Sequence, residues 1–333
     1  MATTSALVTG ATGFVGSQLA KYLALHGVRV RALIRPSSDL SALEGFDIEM
    51  VEGDLLNPGS LLAACAGIDH VYHCAGQVAE WRRPSPMIAS HVAGTENVLQ
   101  AAKSAGVSRV IYTSSVAALG VPHPDDPDPN GGMRASHLWN CRPAIWPYGF
   151  AKHRSETKVW QAVAAGLDAV IVAPSAVFGP GDVKRVDKGI LPIMMSGRIP
   201  PLAPAGGLNA VHIDDVVFGL EAAAASGERG AKYLIVGENL SHFEFLRITA
   251  EVVGARPPRW LLPTAPLRSL GKLAARMSPP LPLPARSSML SLMGYHFYFD
   301  GSASRAALKL PAPKRYRQAA RDAYDWLIGE ARG

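Results

Sequence analysis

A chain of 333 residues, 48% of them apolar, is long for one domain and large enough to bury a substantial core, which suits a main domain with a smaller second lobe. The net charge of +6 is uneven: from Ser241 onward fourteen Arg and Lys face six Asp and Glu, which fits attraction of anionic substrates or membrane surfaces, or ordinary solvated helix faces. No run of eighteen apolar residues occurs and the first strand begins almost at once, so neither a transmembrane segment nor a leader is expected, and Cys65, Cys74 and Cys141, odd in number and unpatterned, exclude a disulfide framework. A cytoplasmic protein with reduced thiols and no nucleic-acid partner is expected.

The first predicted element is the apolar β run Ala6-Leu7-Val8-Thr9. It breaks into Gly10, Gly13 and Gly16 and continues into a helical stretch from Ser17. The spacing G-x-x-G-x-x-G predicts strand, tight turn and helix. Gly10 takes the turn at the strand exit, Gly13 lets backbone approach a pyrophosphate, and Gly16 lets the helix pack close to the sheet. The helix N-terminus then offers unsatisfied N–H groups and a positive dipole end to phosphates. A tight turn with no ligand would use the same glycines.

Residues 28–34 alternate like a second strand and stop at Arg35-Pro36. In dinucleotide folds an acidic side chain at this point, about twenty residues past the glycines, binds the adenosine ribose 2′-hydroxyl. Arg35 suits a 2′-phosphate instead, so NADP(H) is favoured over NAD(H), with Ser37 and Ser38 as further donors. An arginine that merely turns outward is the alternative. A third strand over 47–52 runs into Gly53-Asp54-Leu55, a helix over 60–66 follows, and a fourth strand over 68–74 ends at Ala75-Gly76. A helix over 91–105 leads to a fifth strand, 109–113, which ends in Ser114-Ser115.

Residues 121–147 are irregular and rich in proline, and a loop this long suits a wall or lid of an active site. Tyr148 opens a helix to about 165, with Lys152 four residues on and so on the same face. A sixth strand covers 168–173. The alternation predicts an α/β fold: a Rossmann doubly wound parallel sheet with a smaller C-terminal lobe for substrate. Beyond Pro174 the pattern weakens to a short strand over 210–215, a helix over 216–225, a strand over 232–236 and a closing helix over 316–328. The expected division is 1–183 for the nucleotide-binding domain with returns near 210–237, 184–300 for the substrate lobe, and 301–333 for a C-terminal helix. The proline, leucine and alanine content of 257–284 suits an apolar pocket wall.

The chain resembles the extended short-chain dehydrogenase/reductases, the epimerase/dehydratase-like group. The resemblance rests on Thr9-Gly10-Ala11-Thr12-Gly13-Phe14-Val15-Gly16, Gly53-Asp54-Leu55, Tyr112-Thr113-Ser114-Ser115, Tyr148-x-x-x-Lys152, the run from Pro174-Ser175 to Gly181-Asp182, and Val211-His212-Ile213-Asp214-Asp215, all in the family's order. Within it the sequence looks most like the dihydroflavonol reductase and 3β-hydroxysteroid dehydrogenase branch. The resemblance implies that Tyr148 passes its proton to the substrate carbonyl, that Lys152 favours the phenolate, and that Ser115 holds the same carbonyl oxygen. It further implies that Gly10, Thr12, Gly13, Phe14, Val15, Gly16, Arg35, Asp54, Leu55, Ala75, Gly76, Thr113, Tyr148, Lys152, Pro174 and Ser175 line the cofactor. The helices over 91–105 and 148–165 imply a homodimer.

One departure stands out, because His91 replaces the asparagine that relatives carry beside the cofactor. Its imidazole either takes over that role or is a plain surface histidine. His70, His73 and His212 have no metal-ligand spacing and are read as structural. The leading expectation is an NADPH-dependent reductase of a ketone or aldehyde on a bulky apolar or aromatic small molecule. The alternatives are a sugar-nucleotide epimerase or dehydratase with tightly bound NAD, for which Lys184, Arg185 and Lys188 could hold a diphosphate, a 3β-hydroxysteroid dehydrogenase/isomerase, and a non-enzymatic nucleotide sensor. Sensors typically lose the tyrosine and lysine kept here.

Overall fold

Apolar strands alternate with helices from Ser5 onward, and this alternation builds a twisted parallel sheet covered on both faces. The computed structural model describes residues 4–76, 84–122, 132–182, 190–196, 202–263, 269 and 292–330. Among these, the strands of the main sheet are β1 (Ser5–Thr9), β2 (Arg29–Ile34), β3 (Ile48–Glu52), β4 (His70–His73), β5 (Arg109–Thr113), β6 (Ala169–Pro174) and β10 (Lys232–Ile235). They lie in the order β10-β6-β5-β4-β1-β2-β3, with every pairing parallel. The order reverses between β1 and β4, which creates the crevice at their carboxyl ends where such sheets take ligands.

The two faces divide the strand residues by parity. Ala6, Val8, Val30, Ala32, Ile111, Val170 and Val172 pack under α1 (Phe14–Leu25) and α6 (Ile213–Ser226). Leu7, Leu33, Val71, Val110 and Ile171 pack under α2 (Pro58–Cys65), α3 (Pro84–Ser104) and α4 (Pro147–Ala164). Burial on both faces explains why these strands read as continuous apolar runs.

The chain after β6 forms a second layer. β7 (Ala176–Phe178), β9 (Gly207–His212) and β11 (Glu238–Ser241) make a small mixed sheet, and β8 (Leu202–Pro204) pairs in parallel with β12 (Trp260–Leu262). α5 (Ile190–Met195), α7 (His242–Val253), α8 (Ser302–Ala307) and α9 (Tyr316–Glu330) complete the described elements. The expected substrate lobe is therefore described only in part, since most of 264–291 lies outside the described residues, as do 183–189 with Lys184, Arg185 and Lys188. No helix among the described residues is long and apolar enough to cross a membrane.

Several elements differ from the sequence expectation. α3 begins at Pro84 rather than near residue 91, because prolines fit the first helical turn, where no N–H partner is needed. The strand expected at 210–215 runs from Gly207 to His212, and Asp214 and Asp215 already sit in the first turn of α6, where the helix dipole favours acids. Two helices, α8 and α9, close the chain where one was expected.

Candidate active site

The turn after β1 has the geometry that its glycines demand. Gly10 has φ +71°, and a Cβ there would lie 2.7 Å from the backbone of Ala75; a Cβ on Gly16 would lie 2.2 Å from the Gly10 carbonyl oxygen. Gly13 is the N-cap of α1 and gives no side-chain cap, so the helix start around Phe14, Val15 and Gly16 keeps its backbone donors for an incoming anion. Thr12, Phe14 and Val15 stay half-exposed along this turn. The cradle therefore fits a pyrophosphate by donor chemistry and by the absence of side chains.

A buried hydrogen-bonded ladder holds the cradle's far wall. His73 Nδ1 lies 2.7 Å from Thr9 Oγ1, and His73 Nε2 lies 3.3 Å from Thr95 Oγ1, whose hydroxyl donates to the His91 carbonyl at 2.8 Å. Thr9 Oγ1 also accepts the Ala75 N–H at 3.3 Å. β1, β4 and α3 are thus fixed to one another just below Gly10 and Ala75. Burial, with Lys152 and His91 nearby, pushes the His73 imidazole down to about 3, so it bridges as a neutral ring.

At the β2–β3 end the residues stand open. Arg35 is exposed at the end of β2, its N–H donating to Ser38 Oγ at 3.0 Å, and its guanidinium makes no ion pair among the described residues. Asp54 is exposed, with Oδ1 accepting the Leu56 N–H at 2.7 Å. The Leu55 carbonyl accepts from Asn97 of α3 at 2.8 Å, and the Leu55 side chain packs against Gly94.

The β5–α4 side is closed. Ser115 follows β5 and caps a 3₁₀ turn, Val116–Leu119, where its Oγ accepts the Ala117 N–H at 3.2 Å and keeps its own proton for donation. Pro147 starts α4 and Tyr148 follows it. Gly149 lets this helix end press on the 3₁₀ turn, since a Cβ there would lie 2.5 Å from the Ala117 carbonyl oxygen. One turn later, buried Lys152 donates from Nζ to the Thr113 carbonyl at 2.8 Å. Burial lowers the Lys152 ammonium from 10.5 to about 8, with Cys74 and Glu156 opposing the fall. Thr113 Oγ1 is 3.2 Å from Cys74 Sγ.

His91 is 7% exposed, which overturns the surface reading, and its ring meets the Tyr148 ring edge-on at 6.1 Å. A Cβ on Gly76 would lie 2.9 Å from His91 Cε1 and 3.4 Å from Lys152 Nζ, so Gly76, His91 and Lys152 share one small volume. Pro174 ends β6 beside Ile235, and the hydroxyl of Ser175 donates to Asn209 Oδ1 at 2.6 Å. His212 bonds Asp322 of α9 at 3.1 Å, a structural link. The structure thus brings Thr113, Lys152, Gly76, His91 and Tyr148 together, with Ser115 two residues past Thr113 at the cap of the 3₁₀ turn. Arg35 and Asp54 lie apart from them, on the far side of the glycine turn.

Sequence reasoning missed the ladder through His73 and the carboxylate of Glu156, which is 1% exposed one turn beyond Lys152. The only signal for the latter was an i, i+4 acid after the lysine.

Aromatic side chains border the start of α4. Trp139 and Trp146 both pack against Gly149. The Trp139 ring tilts against Phe150 at 5.8 Å and the Trp146 ring meets Phe297 edge-on at 5.1 Å. Met133 bridges to Phe299, which ties the loop before α4 to the chain near residue 297. Residues 123–131 of that loop lie outside the described residues.

The glycine turn after β1 and the buried Lys152 beside Thr113, Gly76 and His91 lie at the carboxyl ends of neighbouring strands, the crevice where such sheets take ligands. The chain belongs to the NAD dependent epimerase/dehydratase family, whose profile matches residues 6–236, and it is an NAD(P)-dependent oxidoreductase. It is 32% identical over 332 residues to the "Putative dihydroflavonol 4-reductase" of Synechocystis sp., covering 96% of this chain and 93% of the relative. It is 33% identical over 331 residues to sterol demethylase protein B of Methylococcus capsulatus, covering 96% and 97%. Among solved structures, gox2253 superposes with a TM-score of 0.85 at 31% identity over 98% of this chain and 99% of the other.

Proposed function

We propose that the protein is an NADPH-dependent reductase of a ketone or aldehyde on a bulky, mostly apolar or aromatic small molecule, working reversibly and in the cytoplasm. The observation that supports the substrate class is the aromatic cluster packed at the start of α4, next to Tyr148 in the chain and formed by Trp139, Trp146, Phe150 and Phe297. Such surfaces recognise planar or apolar bodies and leave few polar groups to orient a sugar. The similarity to relatives named for a flavonoid and for a sterol supports the same class.

The bound nucleotide supplies the hydride, and the chain supplies the rest. The N-terminus of α1 and Gly10, Thr12, Gly13, Phe14, Val15 and Gly16 hold the pyrophosphate, while Arg35 faces the 2′-phosphate and Asp54 with Leu55 the adenine. Ala75, Gly76, Thr113, Pro174 and Ser175 border the ribose and nicotinamide. Ser115 donates to the carbonyl oxygen, and Tyr148 gives it a proton as the alkoxide forms. A free phenol, with a pKa of ~10, is a poor base at neutral pH, and the Lys152 cation makes its ionised form accessible for the reverse direction. The favoured assembly is a homodimer through α3 and α4, which pack together with Lys158 and Glu96 at 2.9 Å and leave Trp160 39% exposed; light scattering should return twice the chain mass.

The activity test follows NADPH oxidation with bulky aromatic and apolar ketones and aldehydes against small ones. Turnover of the bulky set, lost in Tyr148→Phe, is expected. Turnover confined to small or sugar-nucleotide substrates would contradict the proposal.

A further inference from the structure

The reaction proposed above leaves Glu156 unused, although this carboxylate is almost fully buried beside the site. Its Oε1 accepts the Ser114 hydroxyl at 2.6 Å, and its Oε2 lies 2.8 Å from Lys232 Nζ on β10, whose side chain is 8% exposed. Ser114 stands between Thr113, which holds Lys152, and Ser115. α4 is therefore fastened to successive residues at the end of β5, by Lys152 to Thr113 and by Glu156 to Ser114. The two helix residues are four apart and reach the same side.

A buried ion pair is by itself poor evidence for stability, because removing both charges from water costs about as much as their attraction returns. An apolar pair would hold α4 on the sheet equally well. It could not balance charge. Lys152 and Lys232 are two cations buried within reach of one carboxylate, and without it they would repel in a medium that screens poorly. Around Lys152 the other titratable groups among the described residues are His73 from β4 and Cys74 just after it, Tyr112 from β5, His91 from α3 and Tyr148 from α4. Around the pair they are Tyr112 and His153. Among the described residues Glu156 is the one carboxylate in this set.

We propose that Glu156 is a positioning residue for Lys152 and Ser115: through Ser114 it fixes the end of β5 to α4, and with Lys232 it sets the charge balance that keeps Lys152 cationic. Its catalytic meaning rests on the reductase reading, but the charge relation is a property of the folded chain. The test is a titration of Lys152 in the ligand-free protein by NMR of ¹³Cε-labelled lysine, the resonance being assigned by its loss in Lys152→Met. Glu156→Gln removes an anion and should move the midpoint acidward by roughly one pH unit; Lys232→Met removes a cation and should move it alkaline by a similar amount. The double variant Glu156→Gln/Lys232→Met should return close to the parent. Shifts of the same sign in both single variants, or none in either, overturn the proposal. Should one single variant not fold, the sign in the other decides. Should both fail, a folded double variant with the parental midpoint supports charge balance, and an unfolded one or a displaced midpoint overturns it. The titration needs no substrate, so its failure leaves the reductase reading standing, and failure of that reading leaves the titration interpretable.

Discussion

At the β5–α4 end of the crevice, bonds of 2.6–2.8 Å tie the largely buried side chains of Lys152 to Thr113 and of Glu156 to Ser114 and Lys232, whereas at the β2–β3 end Arg35 and Asp54 stand exposed at strand tips. On the proposed reading the closed end has to place a proton donor and a hydrogen-bond donor to within a fraction of an ångström, which suits its buried, hydrogen-bonded side chains. On the same reading the open end only has to choose between a hydroxyl and a phosphate. A single solvated side chain can do that, and it can be exchanged without disturbing the core. Chemistry should therefore be hard to alter and cofactor preference easy.

Tyr148→Phe is the sharpest cut at the closed end. It should lower kcat by about a thousandfold or more while nucleotide affinity stays within a few-fold, measured by steady-state rates and fluorescence titration. Normal turnover would remove Tyr148 from the chemistry. Between the two ends lies the glycine turn, and Gly16→Ala puts a methyl 2.2 Å from the Gly10 carbonyl oxygen. Displacing the turn should weaken nucleotide binding on the order of a hundredfold with the circular dichroism spectrum retained. At the open end Arg35→Asp should shift preference from NADPH toward NADH by about ten- to a hundredfold, the worth of one charge-assisted contact of roughly 1.5–3 kcal/mol. It should leave melting temperature unchanged.

A separate expectation concerns acid stability rather than turnover. His73 is held neutral down to about 3 in the folded state, against an ordinary value of 6.5, so the unfolded chain binds the extra proton between those limits. Its contribution is whole above about pH 6.5 and falls as pH drops toward 3, by ~1.4 kcal/mol per unit. Denaturant melts of the parent and of His73→Phe should show the shallower acid slope in the variant; equal slopes would mean that the Thr9–His73–Thr95 ladder carries no such linkage.

The sheet and the glycine turn were legible because local rules act there: apolar runs, a strand-exit glycine and a four-residue spacing each constrain a few neighbouring residues. The Tyr148 and Lys152 pairing was legible for the same reason. What stayed hidden depends on contacts between distant residues. Glu156 and Lys232 meet only because β10 returns to pair with β6, and His73 joins Thr9 to Thr95 only once β1, β4 and α3 are assembled. α3 starts at Pro84, ahead of the expected helix over 91–105, because its first turn tolerates Pro84 and Pro86. His91 could be placed only by its packing against Tyr148.

The most direct measurement is release and identification of any nucleotide carried by the purified protein, paired with binding titrations of NADPH and NADH. The account predicts an exchangeable site that binds NADPH more tightly. Stoichiometric NAD that does not exchange would contradict it, and would move the chemistry toward an internal return of hydride.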